Sequence, residues 1–192
     1  MMMPDLLDRL TGSLQNRGDV ATTASAPSAA VAAILTCTED PHVLFIHRVA
    51  HDGDPWSGHL AFPGGRIEPE DRDARAAAER ETREEVGLDL DAGSYLGKLD
   101  DITGSTIPVC VSCHAYSIES VPDLRLNEEV EDVFAYPLSG LSDRNRWVEA
   151  EFEIRGDRKP FPAIDLRLEQ KPLLWGLTYR FVMQILTHAG VD

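Results

Sequence analysis

Cysteine is scarce in this chain, bases are outnumbered by acids, and no long apolar run occurs. Each shortage excludes something. Three cysteines, Cys37, Cys110 and Cys113, are too few and too odd in number for a disulfide framework. Cys110 and Cys113 precede His114 in the spacing of a haem-attachment motif. They fall, however, in an alternating apolar run, residues 107–116, that predicts a strand carrying two packed thiols. With 18 Lys and Arg against 33 Asp and Glu, a net charge of −15, the chain lacks a basic footprint. Binding to nucleic acid or to an anionic membrane is therefore not expected. No apolar stretch approaches the roughly 20 residues needed to cross a bilayer. Residues 1–15 lack the basic-then-apolar order of a secretory leader, so the expectation is a cytoplasmic protein.

What is present suits one globular domain. At 192 residues, 43% hydrophobic and 27% charged, the chain can bury a sizeable core. Leu6, Leu7, Leu10 and Leu14 recur at helical spacing near the start. An Ala/Ser/Thr stretch with Pro27 follows, which divides the chain into a helix and linker (residues 1–27) and a main domain (residues 28–192). Strands are predicted at residues 29–38 and 43–49, with a short extended piece at 59–62 running into a turn at Pro63-Gly64-Gly65. Residues 73–86 form the clearest helix, stopped by Gly87. Further strands are predicted at 95–102, 107–119 and 130–136, then a hairpin over 147–166 turning at Gly156-Asp157. A helix over 173–188 closes the chain. The pattern is α+β, a mixed β-sheet in an α/β/α layering.

Chemistry concentrates on the helix at 73–86. Glu81, Glu84 and Glu85 stand at i, i+3 and i+4, so their carboxylates share one face. Ala74, Ala77 and Ala78 lead up to them on that side. Three converging carboxylates behind small residues suit a hard divalent cation, Mg²⁺ or Mn²⁺, better than a core. A solvated acidic face is the competing reading, since Arg80 with Glu84 and Glu79 with Arg83 are ordinary i,i+4 pairs. Phe62-Pro63-Gly64-Gly65 shifts the balance. Its bare backbone lets a carbonyl face a metal and a phosphate approach with no Cβ in the way.

Residues 65–88 resemble the Nudix box: a glycine, a spaced acid, then Arg80-Glu81, Thr82-Arg83, Glu84-Glu85, Val86, Gly87 and Leu88. Thr82 stands where an aliphatic is usual, the mid-box acid is Asp71, and the stretch from Asp71 to Arg80 is one residue longer than the common form. The last two departures resemble the coenzyme A pyrophosphatase branch, as do Arg48 ending a strand and Gly58 four residues before Phe62. Residues 130–138 and Leu174-Trp175-Gly176-Leu177-Thr178 extend the likeness more loosely. Val49 and Asp54 depart from that branch. An acid at Asp54 would repel the 3′-phosphate of coenzyme A.

The resemblance implies a Nudix-like fold and a pyrophosphohydrolase acting on a nucleoside diphosphate linked to a moiety X. It implies Mg²⁺ or Mn²⁺ held by Glu81, Glu84 and Glu85 with a backbone carbonyl at Gly64 or Gly65. Arg80 is expected to orient a carboxylate. For the general base, Glu128 and Glu129 before the strand at 130–136 are candidates, with Glu129 preferred beside Glu81 and Glu85. Arg48, Trp56, Gly58, Gly64 and Gly65 are the expected substrate contacts, whereas Trp175 and Tyr179 are expected in the core. Coenzyme A or a derivative is the favoured substrate. Nucleotide sugars, ADP-ribose or dinucleotides form the second reading, and an idle nucleotide-binding module or a ligand-free acidic domain the remaining ones. The fold is also compatible with a homodimer.

Overall fold

The computed structural model describes residues 6–16, 26–51, 56–104, 108–154 and 156–191. Its centre is β1 (Ala29–Thr36), whose side chains are apolar on both faces. Ala30, Ala32 and Ile34 enter one core cluster, whereas Ala33 and Leu35 enter another. A strand buried on both sides belongs in the interior of a sheet. Accordingly β1 pairs in parallel with β7 (Cys110–Ile118) from Ala29↔Val111 to Thr36↔Ile118. Antiparallel neighbours complete a mixed sheet of eight strands among the described residues. They are β2 (His42–Arg48), β3 (Leu60–Ala61), β4 (Gly64–Arg66), β5 (Ser94–Lys98), β6 (Ile102–Thr103) and β8 (Val130–Pro137).

Helix α2 (Ala74–Val86) covers one face of this sheet through Ala77, Ala78 and Val86. Asp73 caps its start by accepting from the Ala76 N–H at 2.8 Å, and Gly87 ends it in the left-handed region at φ 71°. The other face is covered by α1 (Leu6–Gln15) and α4 (Gly176–Ala189). Leu10 and Leu14 meet Phe181, Val182, Ile185 and Leu186 there. The short helix α3 (Leu138–Ser142) and a second sheet complete that side. The second sheet contains β9 (Trp147–Ile154), β10 (Asp157–Ile164) and β11 (Leu174–Trp175). The result is the layered α+β architecture expected from the sequence.

Three local expectations change, and one element is added. The Gly64-Gly65 turn is a strand, because its backbone pairs with Ala30 and Val31 of β1. The strand expected over 95–102 breaks into β5 and β6. At Gly97 (φ 143°) the register against β7 shifts, and an added Cβ would lie 2.7 Å from that of Leu14. Helix α1 thus crosses where only glycine leaves room. The closing helix begins at Gly176 rather than at 173, since Leu174 and Trp175 pair with Ile164 and Ala163. Helix α3 carries no periodic signal long enough to read. Part of the linker (residues 21–25) and residue 107 lie outside the described residues. Cys110 and Cys113 are buried, unbridged strand thiols, and Cys37 is exposed. No described helix is long and apolar enough to cross a membrane.

Two outcomes follow from this packing. Leu10 is 1% exposed, so Leu10→Ala should cost about 3 kcal/mol in urea unfolding with an unchanged denaturant slope. His114 is buried between the Tyr95 hydroxyl and the Ser112 hydroxyl, each at 3.2 Å. Burial, aided by Lys98, pushes its imidazole down to about 4, so the folded state keeps it neutral. Between about pH 6.5 and 4 the unfolded chain binds the extra proton, so the His114 contribution is complete above 6.5 and is lost on acidification. Urea titrations across that window should show stability falling with pH, and His114→Phe should flatten this component.

Candidate active site

The box glutamates arrive at one end of the sheet, where β1, β4, the end of β2 and the start of β8 meet the last turns of α2. Glu85 is 1% exposed. Its Oε2 accepts from the Gly64 N–H at 2.8 Å, and the Arg48 guanidinium lies 3.4 Å from its Oε1. Burial pushes this carboxyl up to about 7, against the pull of the Gly64 N–H and Arg48; the charges of Glu81 and Glu129 push the same way as burial. Glu81 is half-buried, and its carboxyl is likewise raised by burial, with Glu84 and Glu129 contributing. Four carboxylates therefore feel one another in this corner. Glu129 arrives from an exposed turn tied down at both sides. The Glu129 carbonyl accepts from Val49 N–H at 2.9 Å, and Asn127 N–H donates to the Glu85 carbonyl at 3.0 Å.

The two glycines are demanded by this crowding. At Gly64, φ is 150°, and an added Cβ would run into the β1 backbone at Ala30 and Val31. At Gly65 an added Cβ would stand 2.5 Å from the Glu81 carboxylate. The Gly-Gly pair thus lets β4 lie flush on β1 while clearing space for a carboxylate.

Arg80 binds Asp71 through two parallel bonds, Nε to Oδ1 and Nη2 to Oδ2, both 3.0 Å. Asp71 consequently sits below the usual carboxylate range, the Arg80 bonds being the largest cause. The same guanidinium reaches Glu81 at 3.0 Å, Glu84 at 3.3 Å and the Arg66 carbonyl at 3.1 Å. A planar, bidentate clamp of this kind is a function that lysine does not supply. The role of Asp71 as the anchor of Arg80 was not read from the sequence; its place as the spaced acid of the box was the available signal.

All donors here are carboxylate or carbonyl oxygens, the set preferred by hard divalent cations. A cation would relieve the mutual repulsion that raises Glu81 and Glu85, so the residues fit one. As placed, no three His, Cys, Asp or Glu side chains among the described residues converge to hold a metal ion. Glu81 and Glu84 turn to Arg80, and Glu85 turns to Gly64 and Arg48. Binding a cation would draw Glu81 and Glu84 away from that guanidinium.

Of the expected substrate contacts, Arg48 is placed on Glu85. Gly58 is left-handed at φ 67°, with its carbonyl 3.2 Å from Nε2 of His47. Trp56 is partly buried in the turn that precedes β3. Asp54 lies outside the described residues. Trp175 does not join the core: it is partly buried and packs on other rings at the surface, because its strand β11 turns Leu174 inward and Trp175 outward.

The family model described as NUDIX domain matches residues 26–154. The chain is 31% identical over 199 aligned residues to the mitochondrial coenzyme A diphosphatase NUDT8 of Homo sapiens, covering 96% of this chain and 82% of that one. It is 40% identical over 115 residues to an uncharacterized protein of Schizosaccharomyces pombe, 56% of this chain but 35% of that one. The chain thus spans about a third of that relative's length. A crystal structure of a MutT/nudix family protein from Enterococcus faecalis shares the fold, with a TM-score of 0.57 at 16% identity, covering 92% of this chain and 67% of that one. Nudix hydrolases generally use divalent metal ions and act on small nucleotide substrates. On the match to the domain and to a full-length relative, the chain belongs to the Nudix family of pyrophosphohydrolases.

Proposed function

We propose that this chain is a Mg²⁺- or Mn²⁺-dependent hydrolase that cuts the pyrophosphate of coenzyme A or a coenzyme A derivative, releasing 3′,5′-ADP and phosphopantetheine. The observation that carries the reading is the 31% identity to a coenzyme A diphosphatase across 96% of this chain. Arg48, one of the two upstream positions shared with that branch, supports it through its contact with Glu85.

Glu81, Glu84 and Glu85, with the Gly65 carbonyl, would hold the metal, which when bound supplies charge neutralisation at the phosphates and acidifies the attacking water. The chain's own groups do the rest. Gly64 N–H and Arg48 fix the orientation of Glu85 from two sides. Arg80, held by Asp71, is a positioning residue that sets the Glu81 carboxylate. Glu129 is exposed and close enough for its charge to raise both Glu81 and Glu85. It is the proposed acceptor of the water proton. The missing Cβ at Gly65 keeps the Glu81 carboxylate accessible, and Trp56 and Gly58, in the loop ahead of β3, are proposed as further substrate contacts.

Incubation with Mg²⁺ or Mn²⁺ and a panel of coenzyme A, acyl-coenzyme A, NADH, ADP-ribose and nucleotide sugars tests the proposal, with products resolved chromatographically. Release of 3′,5′-ADP from coenzyme A is expected; turnover confined to ADP-ribose, NADH or nucleotide sugars would replace this substrate by that one. Glu84→Gln and Glu85→Gln variants as active as the wild type would overturn the assignment of the site. Gly65→Ala should lower kcat by about 100-fold while leaving the melting temperature nearly unchanged, because its Cβ displaces a carboxylate rather than core.

A further inference from the structure

Leu174-Trp175-Gly176-Leu177-Thr178, part of the looser likeness, takes no part in the carboxylate corner but meets the strand beside it through Trp175 and His59. The Trp175 ring stacks on Phe152 with centroids 3.8 Å apart and planes 12° from parallel. Phe161 packs on Trp175 at 5.6 Å, and His59 presents an edge to it at 4.9 Å. All four side chains are partly buried, and neither core cluster includes them. The pairings Lys159↔Phe152, Phe161↔Ala150 and Ala163↔Trp175 put the three hydrophobic rings on one face of the second sheet. Strand alternation turns the exposed Glu149, Glu151 and Glu153 to the opposite face, whose Ile164 and Leu174 join the core. Among the described residues, the charges on the ring face are Lys159 and Asp157, a mutual pair at 4.0 Å toward the hairpin tip. The ring surface is thus aromatic, with Phe152 and Trp175 near parallel and Phe161 and His59 tilted against them, and its described charges are paired, in a protein of net charge −15.

Its position links it to the reaction. The Arg48 N–H donates to the His59 carbonyl at 3.0 Å, and the Arg48 guanidinium reaches Glu85. The rings therefore begin one strand spacing, about 4.8 Å, and one arginine side chain away from the carboxylates.

We infer that Phe152, Phe161, Trp175 and His59 form the subsite for the planar base of the nucleotide substrate, so that the second sheet works as a base-holding arm beside the carboxylate corner. The inference rests on the nucleotide-hydrolase reading above and deepens it. A base offers a π-face of matching shape, and aromatic stacking tolerates base identity. Among the described residues of the ring face a phosphate finds only Lys159, already paired with Asp157, and the flexible pantetheine arm has no plane to stack.

Calorimetric titration with adenosine monophosphate and with ribose 5-phosphate separates the base from the rest, since neither has an anhydride to cut. Phe152→Ala should weaken adenosine monophosphate binding about tenfold and leave ribose 5-phosphate binding unchanged. Phe152→Tyr should restore most of the loss. With the panel substrate that is turned over, Phe152→Ala should raise KM with kcat within about twofold. Equal weakening of both probes would mark a structural role and overturn the inference. So would no weakening, or no binding of adenosine monophosphate to the wild type. The titrations involve no turnover, so failure to hydrolyse coenzyme A would remove the substrate proposal and leave this one standing.

Discussion

The contact between the β4 glycines and the last turns of α2 sets the rest of this structure in order. Gly64 lies flush on β1 and donates its N–H to Glu85, and Gly65 makes room for the Glu81 carboxylate. One short backbone segment thereby joins the central strand to the acidic helix. It also explains how a carboxylate 1% exposed is tolerated. Desolvation pushes Glu85 toward the neutral form, and a backbone donor and an arginine oppose it. A side chain at either glycine would push the helix off the sheet or the carboxylate out of its place.

Around that contact the charges are arranged as a balance. Asp71 holds Arg80 in a bidentate grip, and Arg80 in turn holds Glu81 and Glu84. Removing the acid would leave the guanidinium free to move with any one of its remaining partners. The arrangement keeps four carboxylates in one corner of a protein already rich in acids. The cost is met by two arginines and by partial burial, and a divalent cation would alter that balance by competing with Arg80 for Glu81 and Glu84.

Much of the architecture was legible because period and punctuation agree. Residues 73–86 carry no internal Gly or Pro and are followed by Gly87, and the helix stops at that mark, starting one residue later than expected because Asp73 serves as its N-cap. The hairpin was equally readable, although Asp157, expected in its turn, already pairs with Ile154 as the first residue of β10. Failures cluster where partners distant in sequence decide. Gly64-Gly65 has turn composition, yet β1 recruits it as a strand. The break between β5 and β6 falls at residues 99–101, where Gln184 of α4 takes both the N–H and the carbonyl of Asp100. Trp175 has the composition of core and the position of surface, since a two-residue strand pairing alternates it outward.

The sequence by itself determined the reaction class through the resemblance of residues 65–88 to the Nudix box, and spacing alone put Glu81, Glu84 and Glu85 on one helix face. Helical periodicity is local, so spacing alone suffices for it. Tertiary structure decided which carboxylate is buried, which acid grips Arg80, and that Arg48 lies on Glu85. It also brought Phe152, Phe161, Trp175 and His59 together from separate elements. Burial and pairing across strands depend on where remote segments pack, and no local spacing encodes that.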